Sequence, residues 1–208
     1  MGCEGVGIVT AVGAGVHGFA VGEAVAFPGA GVSFRESVLI NVARARPGAT
    51  PPAFKVPAAT PEWTAVPISA LTATGGLEIA GNIQRGQSIL VTGAAGGTGH
   101  IAVQWAKHIF GCRVAGTCGD AAKAAMLKEL GCDVVVNYRE DDVEAVLAAE
   151  FPGGFDVVYE GVGGRIGNIA RRLLADTGFL VQVCSRRRVV DLPHWPFQSL
   201  HAEAPAVW

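Results

Sequence analysis

The sequence predicts an α/β fold in which a parallel β-sheet is covered by helices on both faces. Between Ser88 and Cys184, short apolar segments alternate with longer segments of helical character. The apolar segments are nearly continuous runs, which is typical of strands that are buried on both sides of a parallel sheet. A β-rich part of about 41 residues precedes this alternation.

The composition excludes several classes of protein. The chain has 208 residues, of which 50% are hydrophobic and 16% are charged, and its formal net charge is -2. A disordered chain needs low hydrophobicity and high net charge, and a nucleic-acid-binding domain needs a basic surface. Glycine accounts for 29 residues, roughly twice the usual share, without the three-residue period of collagen. Five scattered cysteines with no CxxC pair indicate free or buried thiols, so neither a disulfide framework nor a metal site is predicted.

The first part of the chain predicts glycine-interrupted strands. We expect strands over Val6–Val12, Ala24–Phe27 and Ser37–Ile40, with a turn at Ala14–Gly18. The uncharged stretch between the glutamates at 4 and 23 is long enough to span a membrane. It contains many glycines and no leucine, and no basic residue precedes it, so strands are the better interpretation and no membrane partner is expected.

A connection rich in proline, alanine and arginine covers residues 42–61 and predicts an extended linker. A helix is expected from Pro61 to Ile79, because proline is accepted in a first turn, and Pro67 is expected to kink or split it.

The alternating region predicts five strands and four intervening helices. Ile101, Trp105 and Ile109 form one expected buried stripe, and Ala122, Met126 and Leu130 form a second. The expected strands cover 88–92, 112–117, 134–137, 155–160 and 179–184, and the expected helices cover 99–110, 121–130, 142–149 and 165–175.

A glycine-rich turn follows the first strand of this region. A glycine at the strand end permits a tight turn, the middle glycines let main-chain N–H groups approach a pyrophosphate, and the last lets the helix pack closely on the sheet. Because the turn stands between a strand and a helix, we predict a Rossmann-like dinucleotide-binding site, although a purely structural turn remains an alternative. The residues expected at this site are Gly93, Ala94, Ala95, Gly96, Gly97, Thr98 and Gly99.

The residues after the second strand favour NADPH over NADH. An NAD site needs an acid there to accept hydrogen bonds from the ribose 2′-hydroxyl. No acid precedes Asp120, and a cation follows at Lys123. Two plainer interpretations stay open, because Lys123 could be an ordinary surface lysine and Asp120 could cap the next helix.

Four segments resemble the quinone oxidoreductase and enoyl reductase branch of the medium-chain dehydrogenase/reductase superfamily. They are GCEGVGIVTAVGAGVHGFAVGEAV, ILVTGAAGGTGHIAVQWAK, GTCGDAAKAAMLKELGCDVVVNY and FDVVYEGVGG, and they occur in the family's order. The resemblance implies a Rossmann-like domain preceded by part of a GroES-like β-barrel. It also implies an NADPH-dependent enzyme that reduces the C=C bond of α,β-unsaturated ketones without zinc, with quinone reduction or cofactor binding without turnover as alternatives.

The resemblance also assigns residues to the cofactor. Lys123 and Tyr138 correspond to the pair that contacts the adenosine 2′-phosphate. Thr72, within Leu71–Ala73, corresponds to a segment beside the nicotinamide, and Val162 and Gly163 correspond to a turn that borders the cofactor. Plainer roles remain for each: Tyr138 could cap the sheet edge, Thr72 could bond back within its helix, and Val162 and Gly163 could simply end a strand. No catalytic residue is assigned.

Departures from the family pattern carry expectations of their own. Cys3 stands where zinc-dependent relatives have a histidine ligand, but its partners are absent, so a core thiol is expected there. The resemblance begins inside the barrel and ends after Cys184, so the chain is expected to be a fragment. We expect a partial barrel with linker over 1–60, an NADPH-binding domain over 61–185 and an irregular tail over 186–208.

The remaining expectations concern the binding partners and the cellular location of the chain. The partners predicted are a small-molecule enone or quinone and, by the resemblance, another copy of the chain. The absence of a targeting signal makes the cytoplasm the default location, with the peroxisome and the mitochondrion as alternatives because the chain is expected to be a fragment.

Overall fold

The computed structural model describes residues 2–29, 33–42 and 51–183. The described residues form two compact units, which meet in the sequence between Ile68 and Ser69. Among the described residues, no helix is both long and apolar enough to cross a bilayer. The expected tail over 186–208, with its arginine cluster, lies outside the described residues.

The first unit contains a small antiparallel sheet. Its strands are β1 (Glu4–Ile8), β2 (Ala24–Pro28) and β3 (Phe54–Lys55), in the order β1-β2-β3. Glu4 lies opposite Pro28 and Ile8 lies opposite Ala24. The uncharged stretch after Glu4 therefore forms a strand and a turn, as expected for part of a GroES-like barrel.

Three expectations for this unit were wrong in detail. Residues 37–40 form no strand, and the side chain of Leu39 is 98% exposed, since none of the described residues packs over it. Cys3 is exposed and is not a core thiol, because it precedes β1 at the edge of the sheet. The first strand also ends at Ile8 and does not reach Val12.

The second unit contains a five-stranded parallel sheet. Its strands are β4 (Ser88–Val91), β5 (Arg113–Cys118), β6 (Val134–Asn137), β7 (Phe155–Glu160) and β8 (Leu174–Gln182). Their order across the sheet is β6-β5-β4-β7-β8, with every neighbouring pair parallel. The predicted Rossmann-like architecture is confirmed. The last strand begins at Leu174 instead of Phe179, with an irregular register near its start.

Helical residues run from Pro61 to Ala80 and are here called α1. They comprise a 3₁₀ stretch (Pro61–Ala65), a π-helical stretch (Val66–Ala70), an α-helical stretch (Leu71–Gly75) and a second π-helical stretch (Gly76–Ala80). Pro67 lies in the first π-helical stretch, where its missing N–H interrupts the α-helical hydrogen bonds. The other helices are α2 (Gly99–Gln104, continued by Trp105–Ile109), α3 (Ala121–Glu129), α4 (Val143–Glu150) and α5 (Gly164–Arg172).

Alternate residues of each strand face two separate apolar clusters. In β4, Ile89 and Val91 face the cluster that α2 and α3 complete, whereas Leu90 faces the cluster that α4 and α5 complete. Because successive strand residues point to opposite faces, the continuous apolar runs are explained by burial on both sides.

The expected helical stripes are partly confirmed, since four of their residues pack partly buried against the core: Ile101, Trp105, Met126 and Leu130. The buried residues of α2 are small, Ala102, Val103 and Ala106, whereas Ile109 is 44% exposed. In α3 the buried residue is Leu127, and Ala122 is exposed. Small side chains let a helix axis approach the sheet, so the larger residues of the predicted stripe lie at the margin of the contact.

Candidate functional site

The site lies at the carboxyl ends of β4 and β7. These two strands are neighbours, but β5 and β6 lie on one side of them and β8 lies on the other. The chain therefore reverses its direction of travel across the sheet between β4 and β7. In open parallel sheets such a reversal leaves a crevice beyond the strand ends, where ligands bind.

The glycine-rich turn after β4 folds tightly onto the end of the sheet. Gly93 adopts a positive φ of 59°, and its N–H donates to the hydroxyl of Thr117 on β5 at 3.2 Å. The N–H of Ala94 donates to the Thr117 carbonyl at 3.0 Å. A Cβ on Gly99 would lie 2.8 Å from the Cα of Ala94, so only glycine allows α2 to begin this close to the turn.

The same turn presents main-chain donors. His100 donates its N–H to the Gly96 carbonyl at 3.1 Å, and Ala102 donates to Thr98 at 2.9 Å. Within the described part of the chain, the N–H groups of Gly97 and Thr98 have no protein acceptor. Unpaired N–H groups at the start of a helix suit an anion such as a phosphate.

The turn after β7 packs against the glycine-rich turn. A Cβ on Gly93 would lie 3.1 Å from a methyl carbon of Val162. Val162 and Gly163 donate their N–H groups to the carboxyl of Glu160 at 2.7 and 2.6 Å. Gly163 has a φ of 71° and precedes α5. The structure thus brings together the predicted residues of both turns.

Lys123 and Tyr138 lie together beyond the ends of β5 and β6. Lys123 Nζ donates to Asp120 Oδ2 at 2.7 Å, and this bond is the main cause that raises the Lys123 pKa, with a smaller contribution from Tyr138. A Cβ on Gly119 would collide with the Tyr138 hydroxyl, so this glycine makes room for the ring. The Asp120 carboxyl also accepts the Lys123 N–H at 2.9 Å, so Asp120 caps α3, as in the plainer interpretation that the sequence left open.

Thr72 is half-buried in the α-helical stretch of α1. Among the described residues it is Thr74, not Thr72, whose hydroxyl bonds back to a carbonyl, that of Ala70 at 2.9 Å. Ser69, one turn earlier, lies close to the glycine-rich turn, because a Cβ on Gly97 would stand 3.4 Å from its hydroxyl oxygen. This part of α1 therefore approaches the crevice, although no hydrogen bond joins Thr72 itself to the turn among the described residues.

Three residues of the site escaped the sequence analysis. Glu160 is fully buried at the end of β7 and Thr92 is 2% exposed at the end of β4. Arg139 lies near Asp120 and Lys123, and its charge lowers the pKa of the Asp120 carboxyl, although the bonds from Lys123 lower it more. A glutamate that ends an apolar strand, and an arginine that follows Tyr138, were the available signals.

No group of three histidine, cysteine, aspartate or glutamate residues within 2–29, 33–42 and 51–183 is placed to hold a metal ion. The exposed Cys3 therefore has no described partners for zinc.

Comparison with known proteins finds relatives that are named as reductases and oxidoreductases. Residues 97–197 match the family of zinc-binding dehydrogenases. The chain is 42% identical over 184 residues to mouse prostaglandin reductase-3, a match that covers 88% of this chain and 46% of the relative. It is 43% identical over 174 residues to a probable quinone oxidoreductase of Leishmania amazonensis, covering 84% and 48%.

Solved structures give the same result. A quinone oxidoreductase of Pseudomonas syringae superposes with a TM-score of 0.70 at 28% identity, over 89% of this chain and 55% of that one. A mycobacterial protein solved in complex with NADPH superposes with a TM-score of 0.69 at 32% identity, over 88% and 56%.

Fold and turn together define a Rossmann-like α/β domain preceded by an antiparallel β-sheet. The chain belongs to the medium-chain dehydrogenase/reductase superfamily, in the branch of quinone oxidoreductases and enoyl reductases. It spans about half the length of the curated relatives it matches.

Proposed function

We propose that this chain belongs to an NADPH-dependent oxidoreductase that reduces the C=C bond of α,β-unsaturated ketones, oxoprostaglandin-like enones among them. The observation that carries the proposal is the turn after β4, where Gly99 has no space for a Cβ and the N–H groups of Gly97 and Thr98 have no protein acceptor. The relatives named prostaglandin reductase support the substrate class.

The residues present fit a dinucleotide that lies across the crevice. The N–H groups of Gly97 and Thr98 would hold the pyrophosphate. Lys123 and Tyr138 lie on the β5 side, where the adenosine half would bind. Val162 and Gly163 lie on the β7 side, where the nicotinamide half would bind.

Two cations favour a 2′-phosphate over a 2′-hydroxyl. Lys123 pairs with Asp120, and Arg139 lies close to the same carboxyl. A phosphate in this position would gain from the charges of Lys123 and Arg139 and lose from that of Asp120, whereas a neutral hydroxyl would gain less from either cation. This charge balance supports NADPH.

Bound NADPH would supply a hydride to the β-carbon of the enone. The protein would contribute mainly by positioning the two reactants and by stabilising the developing oxyanion. No described residue is assigned as the oxyanion donor, and the proposed reaction uses no metal.

The test combines binding and turnover. Purified chain is titrated with NADPH and with NADH while the nicotinamide fluorescence is recorded, and NADPH oxidation is then followed with an enone and with a quinone. We expect tighter binding of NADPH and faster oxidation with the enone. Failure to bind either nucleotide would refute the proposal.

Quinone reduction is the second candidate function, and the Leishmania relative favours it. Oxidation of NADPH by the quinone but not by the enone would establish it. Binding of NADPH without oxidation in either assay would instead support a non-catalytic binding protein.

A further inference from the structure

A buried pair of hydrogen-bonded side chains, Thr92 and Glu160, joins the two turns that line the crevice. The Thr92 hydroxyl donates to Glu160 Oε1 at 3.3 Å and accepts the N–H of Gly161 at 3.0 Å. The same carboxyl oxygen accepts the N–H groups of Val162 and Gly163. One threonine and one glutamate thus bind all three N–H groups of the turn after β7.

The pair of Thr92 and Glu160 is enclosed by protein. Glu160 is 0% exposed and Thr92 is 2% exposed. A Cβ on Gly167 would lie 3.1 Å from the Glu160 carboxyl carbon, so α5 covers the carboxyl closely. Arg171 of that helix places a guanidinium nitrogen 3.9 Å from Glu160 Oε2, an oxygen that has no hydrogen-bond partner among the described residues. A buried carboxyl held by several donors is costly to disturb, so the turn is rigid.

The geometry points to a role for this pair in the cofactor site, and the inference rests on the proposed function. We infer that Thr92 and Glu160 are positioning residues for the nicotinamide half of the dinucleotide, because they fix the turn 161–163 against the glycine-rich turn. Since the N–H groups of this turn are directed inward, the carbonyl oxygens of Gly161 and Val162 are its remaining main-chain polar groups. Such acceptors suit the hydroxyls of a ribose or the amide of a carboxamide.

The sheet provides a matched control at its opposite end. There, the Ser88 hydroxyl of β4 donates to Asp156 Oδ2 of β7 at 2.8 Å. Ser88→Ala and Thr92→Val therefore each remove one hydroxyl-to-carboxyl bond between the same two strands. Only Thr92 lies at the carboxyl ends, where the crevice is. Thr92→Ser keeps the hydroxyl and serves as the conservative variant.

The experiment compares two ligands on these variants. NADPH occupies both halves of the crevice, whereas adenosine 2′,5′-bisphosphate occupies only the adenosine half. For Thr92→Val we expect the Kd of NADPH to rise about tenfold, as for the loss of a hydrogen bond to a charged group. The Kd of the bisphosphate should change less than about twofold, and Thr92→Ser should restore NADPH binding.

Each of the other outcomes contradicts either the inference or the proposed function. An unchanged NADPH Kd in Thr92→Val overturns the inference. Equally weakened binding of both ligands also overturns it, because the pair of Thr92 and Glu160 would then only support the fold. Weaker NADPH binding in Ser88→Ala, to the same extent as in Thr92→Val, also overturns it. If the unaltered chain binds neither ligand, the proposed function itself fails.

Discussion

Gly99 has no space for a side chain. Its missing Cβ lets α2 start against Ala94, and a methyl group there would lie 2.8 Å from a main-chain carbon. Backbone atoms cannot move aside as a flexible side chain can, so the turn itself would have to shift.

We therefore expect Gly99→Ala to lower the free energy of unfolding by about 1–3 kcal/mol, the usual cost of overpacking, and to weaken NADPH binding. Urea unfolding and a fluorescence titration measure the two effects. Gly153→Ala is the control, because a Cβ there meets nothing within 4 Å. A Gly99→Ala chain as stable as the control would show that the turn can relax.

Lys123 tests the preference between the two dinucleotides. Its amine lies beside Tyr138 and Asp120 at the proposed 2′-phosphate site. We expect Lys123→Ala to raise the Kd of NADPH about tenfold, since it removes one charge-assisted bond, and to leave that of NADH unchanged. Lys128→Ala, on the same helix, should alter neither. Equal affinities for both nucleotides before and after the substitution would contradict the assignment.

Asp133 connects three elements of the second unit. It follows α3, accepts the N–H of Val114 on β5 at 2.8 Å and accepts Lys107 Nζ at 2.6 Å. Burial raises the pKa of this carboxyl, but the bonds from Lys107 and Val114 outweigh burial, so the net pKa is lowered.

This lowered pKa predicts a pH-dependent contribution to stability. A carboxyl with a depressed folded pKa stabilises the fold above its unfolded pKa of about 3.9 and loses that effect as the pH falls through the folded value. Asp133→Asn should therefore destabilise the chain by about 1 kcal/mol at pH 7, a modest figure because the pair is partly solvated. The difference should be smaller at pH 3 than at pH 7, and it should disappear only once the pH lies below the lowered folded pKa.

Urea unfolding at the two pH values measures this difference. Glu129→Gln, a neighbouring exposed acid of α3, should have no effect at either pH. A destabilisation of Asp133→Asn that persists unchanged at pH 3 would assign its effect to packing and not to charge.

At the scale of the described molecule, the reactivity of the thiols shows which parts of the chain unfold. Cys3 is exposed, whereas Cys112, Cys118 and Cys132 are buried. Burial raises the pKa of all three buried thiols, and raises that of Cys132 to about 12. Because only the thiolate reacts, these cysteines are protected both by lack of access and by protonation.

We expect iodoacetamide to modify Cys3 rapidly at pH 8 and the three buried cysteines only as the second unit unfolds. Mass spectrometry of the digested chain gives the rate at each site. In denaturant, these four described cysteines should react at similar rates. Modification of Cys132 in the native chain as fast as that of Cys3 would show that the sheet opens locally.

The sequence determined the architecture and the turn. Apolar runs alternating with helices predicted the parallel sheet, and the spacing of Gly93, Gly96, Gly97 and Gly99 between a strand and a helix marked the turn before any contact was visible. These features are local, since periodicity and turn chemistry act within a few residues of the chain.

Only the tertiary structure decided which side chains meet. Thr92 and Glu160 are 68 residues apart. Nothing in the sequence around either residue indicates that their side chains form a hydrogen bond with each other. Likewise, small residues bury the face of α2 because of the sheet beneath it, and Leu39 stays exposed because no described residue covers it. Such contacts depend on how the strands are ordered across the sheet, which local sequence patterns do not encode.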